Sequence, residues 1–218
     1  MNFAKLNWFQ LRFPRELDKD GVLNALAAFS GAPSRARIVL ELHADHAGIQ
    51  HRLGVRTRDT ESITATLRAT IPSLRLTPTD WQSAPGHRLL LQTSPALAAL
   101  RTDNLAATSA DLLSSLFPLS EGESVCLRWR VQSWPLPPLP TGHYDAQDGR
   151  ERIVRAKLVE PGMAAVGELM VNAPTRARRS QLRERTVSVL WSLRTPYGRL
   201  LPNEYWFGQL ARLFLQRG

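Results

Sequence analysis

Apolar and polar residues alternate from Asn7 to Phe13, with Phe9, Leu11 and Phe13 on one side and Gln10 and Arg12 on the other. This is the period of a strand with one buried and one wet face. Pro14 ends the run. Asp18 then stands where a helix needs a cap, ahead of Val22, Leu23, Leu26, Ala27 and Phe29 at helical spacing, and Gly31 with Pro33 closes the helix. Ile38, Leu40 and Leu42 alternate with Val39, Glu41 and His43. After an Ala47-Gly48 turn, Ile49, His51, Leu53 and Val55 alternate with Gln50 and Arg52, which predicts a hairpin. Asp59 opens a second helix carrying Ile63, Leu67 and Ile71, Pro72 ends it, and Leu74-Arg75-Leu76 reads as a closing edge strand. The order βαββαβ is that of a ferredoxin-like sandwich, with both helices on one face of an antiparallel sheet.

The same order follows a second time. His87 to Ser94 reads as a strand, and Asp103 starts a helix with Leu105, Leu112 and Leu116 in one stripe, supported by Ala106 and Leu113. Val125, Leu127, Trp129 and Val131 alternate with Cys126, Arg128 and Arg130, and this is the clearest amphipathic strand in the chain. Met163 to Val171 is the next strand, a helix spans about Thr175 to Leu193 on Leu182, Val189, Leu190 and Trp191, and Arg199-Leu200-Leu201 closes the unit. The pattern therefore predicts an α+β protein of tandem ferredoxin-like βαββαβ sandwiches, each with its own four-stranded antiparallel sheet. The first covers residues 1–80. The second covers 87–202 and contains a Pro-rich loop at 134–149, and an apolar C-terminal segment occupies 203–218.

At 218 residues and 43% hydrophobic content, the chain has enough apolar material for two modest cores. No apolar run approaches the roughly 20 residues that span a bilayer, and the first residues, MNFAKLNWFQLRF, lack the apolar centre of a signal peptide. The expected location is the cytoplasm, or the inner face of a membrane through partners. Cys126 is the single cysteine, which excludes an internal disulfide and a cysteine-rich zinc cluster.

The formal charge of +9 comes almost wholly from arginine, with Lys5, Lys19 and Lys157 the only lysines. Arg150, Arg152, Arg155 and Lys157, then Arg176, Arg178, Arg179, Arg183 and Arg185, flank one predicted strand. They are the candidate nucleic-acid contacts; the competing reading is that they solvate exposed faces. Trp206, Phe207, Leu210 and Phe214 in the terminal segment NEYWFGQLARLFLQRG form a candidate interface, against the alternative of a terminal helix packed on its own sheet.

Catalytic chemistry finds little footing. Gly162 to Gly167 (GMAAVG) has the glycine spacing of a phosphate-binding loop, but Glu168 stands where lysine is required. His43, Asp45, His46 and His51 lack metal-ligand spacing and read as a solvated hairpin tip. Ser62, Ser94 and Ser109 have no nucleophile elbow. Trp8 and Trp129 lie on strands like the stacking residues of an RNA-recognition sheet, yet the accompanying basic and aromatic pattern is missing, so packing is expected. The expectation is no catalytic residue, no cofactor and no metal, hence no enzyme.

The segments FQLRFPRELDKDGVLNALAAFSG, RIVLELHADHAGIQHRLGV, LRTDNLAATSADLLSSL with EGESVCLRWRV, and KLVEPGMAAVGELMVNAPTRARRSQL resemble the N-terminal region of actinobacterial conjugative DNA-transfer ATPases, the type IV secretion coupling and HerA-like class. The resemblance covers nearly the whole chain. Members of that class continue into a P-loop motor domain, which this sequence does not contain, so ATPase activity is not implied. What the resemblance implies is a non-catalytic assembly or docking module of a conjugative DNA-transfer motor, with a nucleic-acid-binding module on the arginine-rich face as the alternative. The implied partners are other subunits or components of a DNA-transfer apparatus, DNA, and further copies of the chain.

Overall fold

The computed structural model describes residues 6–30, 37–81, 86–94, 100–101, 103–134, 162–196 and 198–203. Along the chain these form β1 (Leu6–Arg12), α1 (Lys19–Ser30), β2 (Arg37–Asp45), β3 (Gly48–Arg56), a short 3-10 turn at Thr57–Asp59, α2 (Thr60–Thr70) and β4 (Arg75–Pro78). The second half supplies β5 (His87–Ser94), α3 (Leu105–Ser115), β6 (Ser124–Trp134), β7 (Gly162–Asn172), α4 (Arg176–Trp191) and β8 (Arg199–Asn203). The fold is α+β, with every strand pairing antiparallel.

The alternating patterns place the elements well. Asp18 caps α1 as expected, its carboxylate accepting from the amides of Asp20 and Gly21 at 3.1 and 3.0 Å. The β2–β3 hairpin turns through His46 and Ala47, with Asp45 accepting from the Ala47 amide at 2.8 Å and Gly48 at φ 136°. That left-handed backbone favours glycine. Helix faces are read less well. In α1 the inward stripe is Gly21, Ala25 and Phe29, and Leu23 turns to solvent. In α3 Leu116 is buried and Leu112 half-buried, whereas Leu105 and Leu113 are exposed. Proximity of α3 to α4 rather than to the sheet alone decides which side faces in.

The expected two sheets are one. The strand order is β4-β1-β3-β2-β6-β7-β5-β8, so β2 and β6, which would each be an edge strand of a separate sheet, pair with one another. Nine consecutive residue pairs form this seam, from Arg37↔Gln132 to Asp45↔Ser124. An unpaired edge leaves backbone donors and acceptors without partners, and joining two edges satisfies both. The second half repeats the order of the first in reverse, as a two-fold rotation about an axis between β2 and β6 requires.

Side-chain alternation assigns the two faces. Leu11, Ile38, Leu53 and Val55 meet Ala25, Phe29, Ile63 and Leu67 in one core. Leu89, Leu91, Val125, Leu127, Leu169 and Val171 meet Leu116, Leu182, Val187 and Leu190 in the other. Cross-strand pairs Ile38↔Val131, Leu40↔Trp129 and Leu42↔Leu127 make the apolar layer continuous across the seam, so all four helices cover one face. Each fully buried aliphatic side chain there contributes about 1.5–3 kcal/mol. Trp129 belongs to this layer, lying across Gly167 so closely that a Cβ at that position would come within 2.7 Å of its ring. Gly167 is in β7, and GMAAVG is therefore strand, not a phosphate-binding loop. Trp134 ends β6, and the rest of the Pro-rich loop at 134–149, with residues 150–161 and 204–218, lies outside the described residues. Among the described residues no helix is long and apolar enough to cross a membrane.

Because the seam unites both halves, urea unfolding should be a single transition, with tryptophan fluorescence and far-ultraviolet circular dichroism superimposing. Two resolved transitions would show that the halves are energetically independent.

Candidate nucleic-acid interface

The face without helices carries charge in its interior. Register places Arg52 opposite Glu41, Glu41 opposite Arg128 and Arg128 opposite Glu168, so four consecutive strands present alternating charges side by side. Arg128 donates through Nε and Nη2 to Glu41 Oε2 at 2.9 and 2.7 Å, and Arg52 Nη1 donates to Glu41 Oε1 at 3.2 Å. Glu168 accepts from Arg130 at 2.7 Å and, more weakly, from Arg128 at 3.5 Å. Arg128 and Glu168 are each 1% exposed and Glu41 is 3% exposed. Above them, Trp81 donates to Glu41 at 3.4 Å, lies 5.4 Å from the Arg128 guanidinium and stacks on Trp8 with centroids 5.4 Å apart. Trp8 in turn crosses Gly54, where a Cβ would approach its ring to 2.9 Å. Such close charge pairing is what permits burial, and it makes this face a structural ladder.

Glu41, His43 and Cys126 bring three ligand-type atoms within 4.8 Å of one another on this face. The grouping does not fit a cation. Glu41 is already shared by two guanidiniums, whose positive charge opposes a metal ion. Burial pushes the Cys126 thiol well above its usual range, favouring the protonated form that binds metal poorly. Burial first, and Arg52 second, lower the His43 pKa, and its Nδ1 is buried without a hydrogen-bond partner. The histidines of the hairpin are not assembled either. His43 pairs with Asp45 at 3.5 Å, His46 is exposed at the turn, and His51 sits on the opposite face, edge-on to Phe13 at 5.3 Å.

The basic residues of α4 divide between two flanks, because at 100° per residue positions 176, 179 and 183 fall together and 178 and 185 fall opposite. On the second flank Arg178 holds Glu123 with two bonds of 2.7 and 3.0 Å. Arg178, followed by the Ser120 amide at 2.9 Å, holds the Glu123 carboxyl down from its ordinary 4.5 to about 2. Arg185 lies half-buried beside this pair, with Nε and Nη2 lacking partners, and burial, then the Arg178 charge, lowers its pKa. Arg178 is thus engaged by Glu123 and, at 2.8 Å, by Gln181, and with Arg185 beside that pair the two stand apart from the first flank. On the first flank Arg176, Arg179 and Arg183 line a cavity of about 420 Å³ with His87 and Ser180, floored by Leu89. Thr175 caps the helix there by accepting from the Arg178 amide at 3.1 Å, so the positive end of the helix dipole adds to the arginine charge.

Arg150, Arg152, Arg155 and Lys157, and the interface candidates Trp206, Phe207, Leu210 and Phe214, lie outside the described residues. Sequence reasoning missed the ion ladder and Trp81. The available signal was charge at the centre of each of three apolar strands, Glu41 in β2, Arg128 with Arg130 in β6 and Glu168 in β7, with alternating sign. Trp8 and Trp129 are on opposite faces and both pack, as expected.

No protein-family model and no curated protein matches the chain. Among solved structures it is similar to 6-hydroxy-D-nicotine oxidase from Arthrobacter nicotinovorans, at 18% identity and a TM-score of 0.47 over 93% of this chain and 47% of that one. It is also similar to a chitooligosaccharide oxidase, at 12% identity and a TM-score of 0.43 over 90% of this chain and 46% of that one. The chain spans about half the length of both.

Two stability predictions follow from the ion pairs. Replacing Arg128 with Met should cost about 3–5 kcal/mol, because Glu41 and Glu168 are left buried with less compensation; denaturant titration checks this, and a loss within error of zero would remove the ladder's structural role. Glu123 has a folded-state pKa below its unfolded value, so its stabilisation is present above pH 4.5 and is lost as pH falls toward about 2. Thermal melts across that window should show a steeper decline for the native chain than for Glu123→Gln, and parallel curves would refute the pairing.

Proposed function

We propose that this chain is a non-catalytic nucleic-acid-binding module of a conjugative DNA-transfer apparatus, engaging phosphates through the first flank of α4. The observation that carries the reading is the convergence of Arg176, Arg179 and Arg183 on one cavity with His87 and Ser180. Guanidinium forks suit phosphate oxygens in geometry and charge, and the positive end of the helix dipole adds to that charge. The place in a DNA-transfer apparatus rests on the sequence resemblance alone. We also read each half as a ferredoxin-like unit; the repeated βαββαβ order and the strand order β4-β1-β3-β2, mirrored in the second half, support that reading.

A second role, docking to other components of the apparatus or to another copy of the chain, is favoured by Leu105 and Leu113 of α3 and the following Phe117, which are 44%, 39% and 41% exposed. Salt separates the two roles, since phosphate contacts weaken steeply with added salt and apolar contacts do not.

The double variant Arg176→Ala, Arg179→Ala should bind DNA more weakly without unfolding, and each lost phosphate contact should flatten the logarithmic salt slope by about 0.9. Fluorescence anisotropy over a salt series measures both. Arg178→Ala should instead act on stability through Glu123. Unchanged affinity and slope in the double variant would sink the phosphate-binding proposal.

A further inference from the structure

We infer that the cleft along α4 is built for one unstacked nucleotide unit, with its phosphate at the Arg176 and Arg179 end and its base on an adjoining apolar half beside Trp191. This rests on the phosphate-binding reading and adds a place for the base. The basic cavity of about 420 Å³ shares Leu89 and Arg183 with a second cavity of about 450 Å³ lined further by Glu184, Val187, Ser188, Trp191 and Pro202. The two halves adjoin along α4 at these shared residues.

The halves differ in chemistry in a way that orients a ligand. Arg176, Arg179, His87 and Ser180 offer donors and positive charge at one end. At the other, Leu89, Val187 and Pro202 provide an apolar wall, and Trp191 leaves an indole 51% exposed where a side chain of that size is ordinarily covered. Glu184 stands on this second half and balances the Arg183 charge there, so an uncharged group such as a base suits it better than a second phosphate. Val187 follows Arg183 by one helical turn, about 5.4–6 Å, the scale on which a nucleotide joins phosphate to base. In a duplex the bases are stacked inside and unavailable, so only an unstacked nucleotide fills both halves.

The test compares a short oligothymidylate, a blunt duplex with the same number of phosphates per strand, and thymidine monophosphate as competitor, using the full chain. The oligothymidylate should bind more tightly than the duplex. Trp191→Ala should weaken oligothymidylate binding by on the order of tenfold, the effect of one lost base stack, while leaving duplex binding unchanged, and Trp191→Phe should retain most of the affinity. Because Trp191 is half exposed, these variants should melt like the native chain, which circular dichroism verifies. Displacement of the oligothymidylate by the monophosphate assigns the site to free nucleotides as well as strands; no displacement, with the Trp191 effect intact, assigns it to strands. Equal affinity for strand and duplex, or a Trp191→Ala effect equal on both or absent from both, overturns the inference and leaves the phosphate reading standing. Binding of neither nucleic acid overturns both.

Discussion

Charges removed from water must find their complements, and here they find them only across the sheet. Placing a carboxylate or a guanidinium in a protein interior costs several kcal/mol unless partners meet it at close range. Arg52, Glu41, Arg128 and Glu168 meet on β3, β2, β6 and β7 because each pair is directly opposed in register. A slip by one residue would send every side chain to the wrong face, and a slip by two would break the direct pairs, setting Arg52 against Val39 or His43 and Glu41 against Cys126 or Arg130. The ladder thus fixes the register of four strands at once. It also explains why the halves are joined: Glu41 belongs to the first and Arg128 to the second, and their bonds of 2.7 and 2.9 Å lie across the seam.

The elements were legible because alternation and caps are local. Asp18, the Ala47-Gly48 turn and the run from Val125 to Val131 each carry their information within a few residues, and the structure places them accordingly. The joining of two edges was not legible, because the pattern of β2 reports which residues face inward and says nothing about which strand lies beside it. Helix faces were half legible. Leu23 and Trp191 are apolar and in register with helix interiors, yet they turn outward, since the sheet and the neighbouring helix decide how wide a stripe is covered. The basic run on α4 was visible as composition. Its division into two flanks follows from helical spacing, but which flank is tied down needed the partner Glu123, which lies 55 residues from Arg178 in sequence.

That division gives one helix two separate duties. Leu182, Thr186, Val187 and Leu190 anchor α4 to its sheet, and the Arg178 pair ties its first turn to the approach of β6. Held at these points, α4 presents Arg176, Arg179 and Trp191 from a rigid element rather than from a loop. A site on such an element loses less freedom when a ligand arrives.

The two-fold arrangement about β2 and β6 has a bearing on covalent connectivity. The nine seam pairs, the shared apolar layer and the Glu41–Arg128 bonds tie the halves together in addition to the peptide link that joins β4 to β5, whose Trp81 lies over the seam charges. Those strands lie toward opposite margins of the sheet. The chain is therefore a natural subject for fragment complementation: cut after Trp81, its two pieces retain the surfaces that recognise each other.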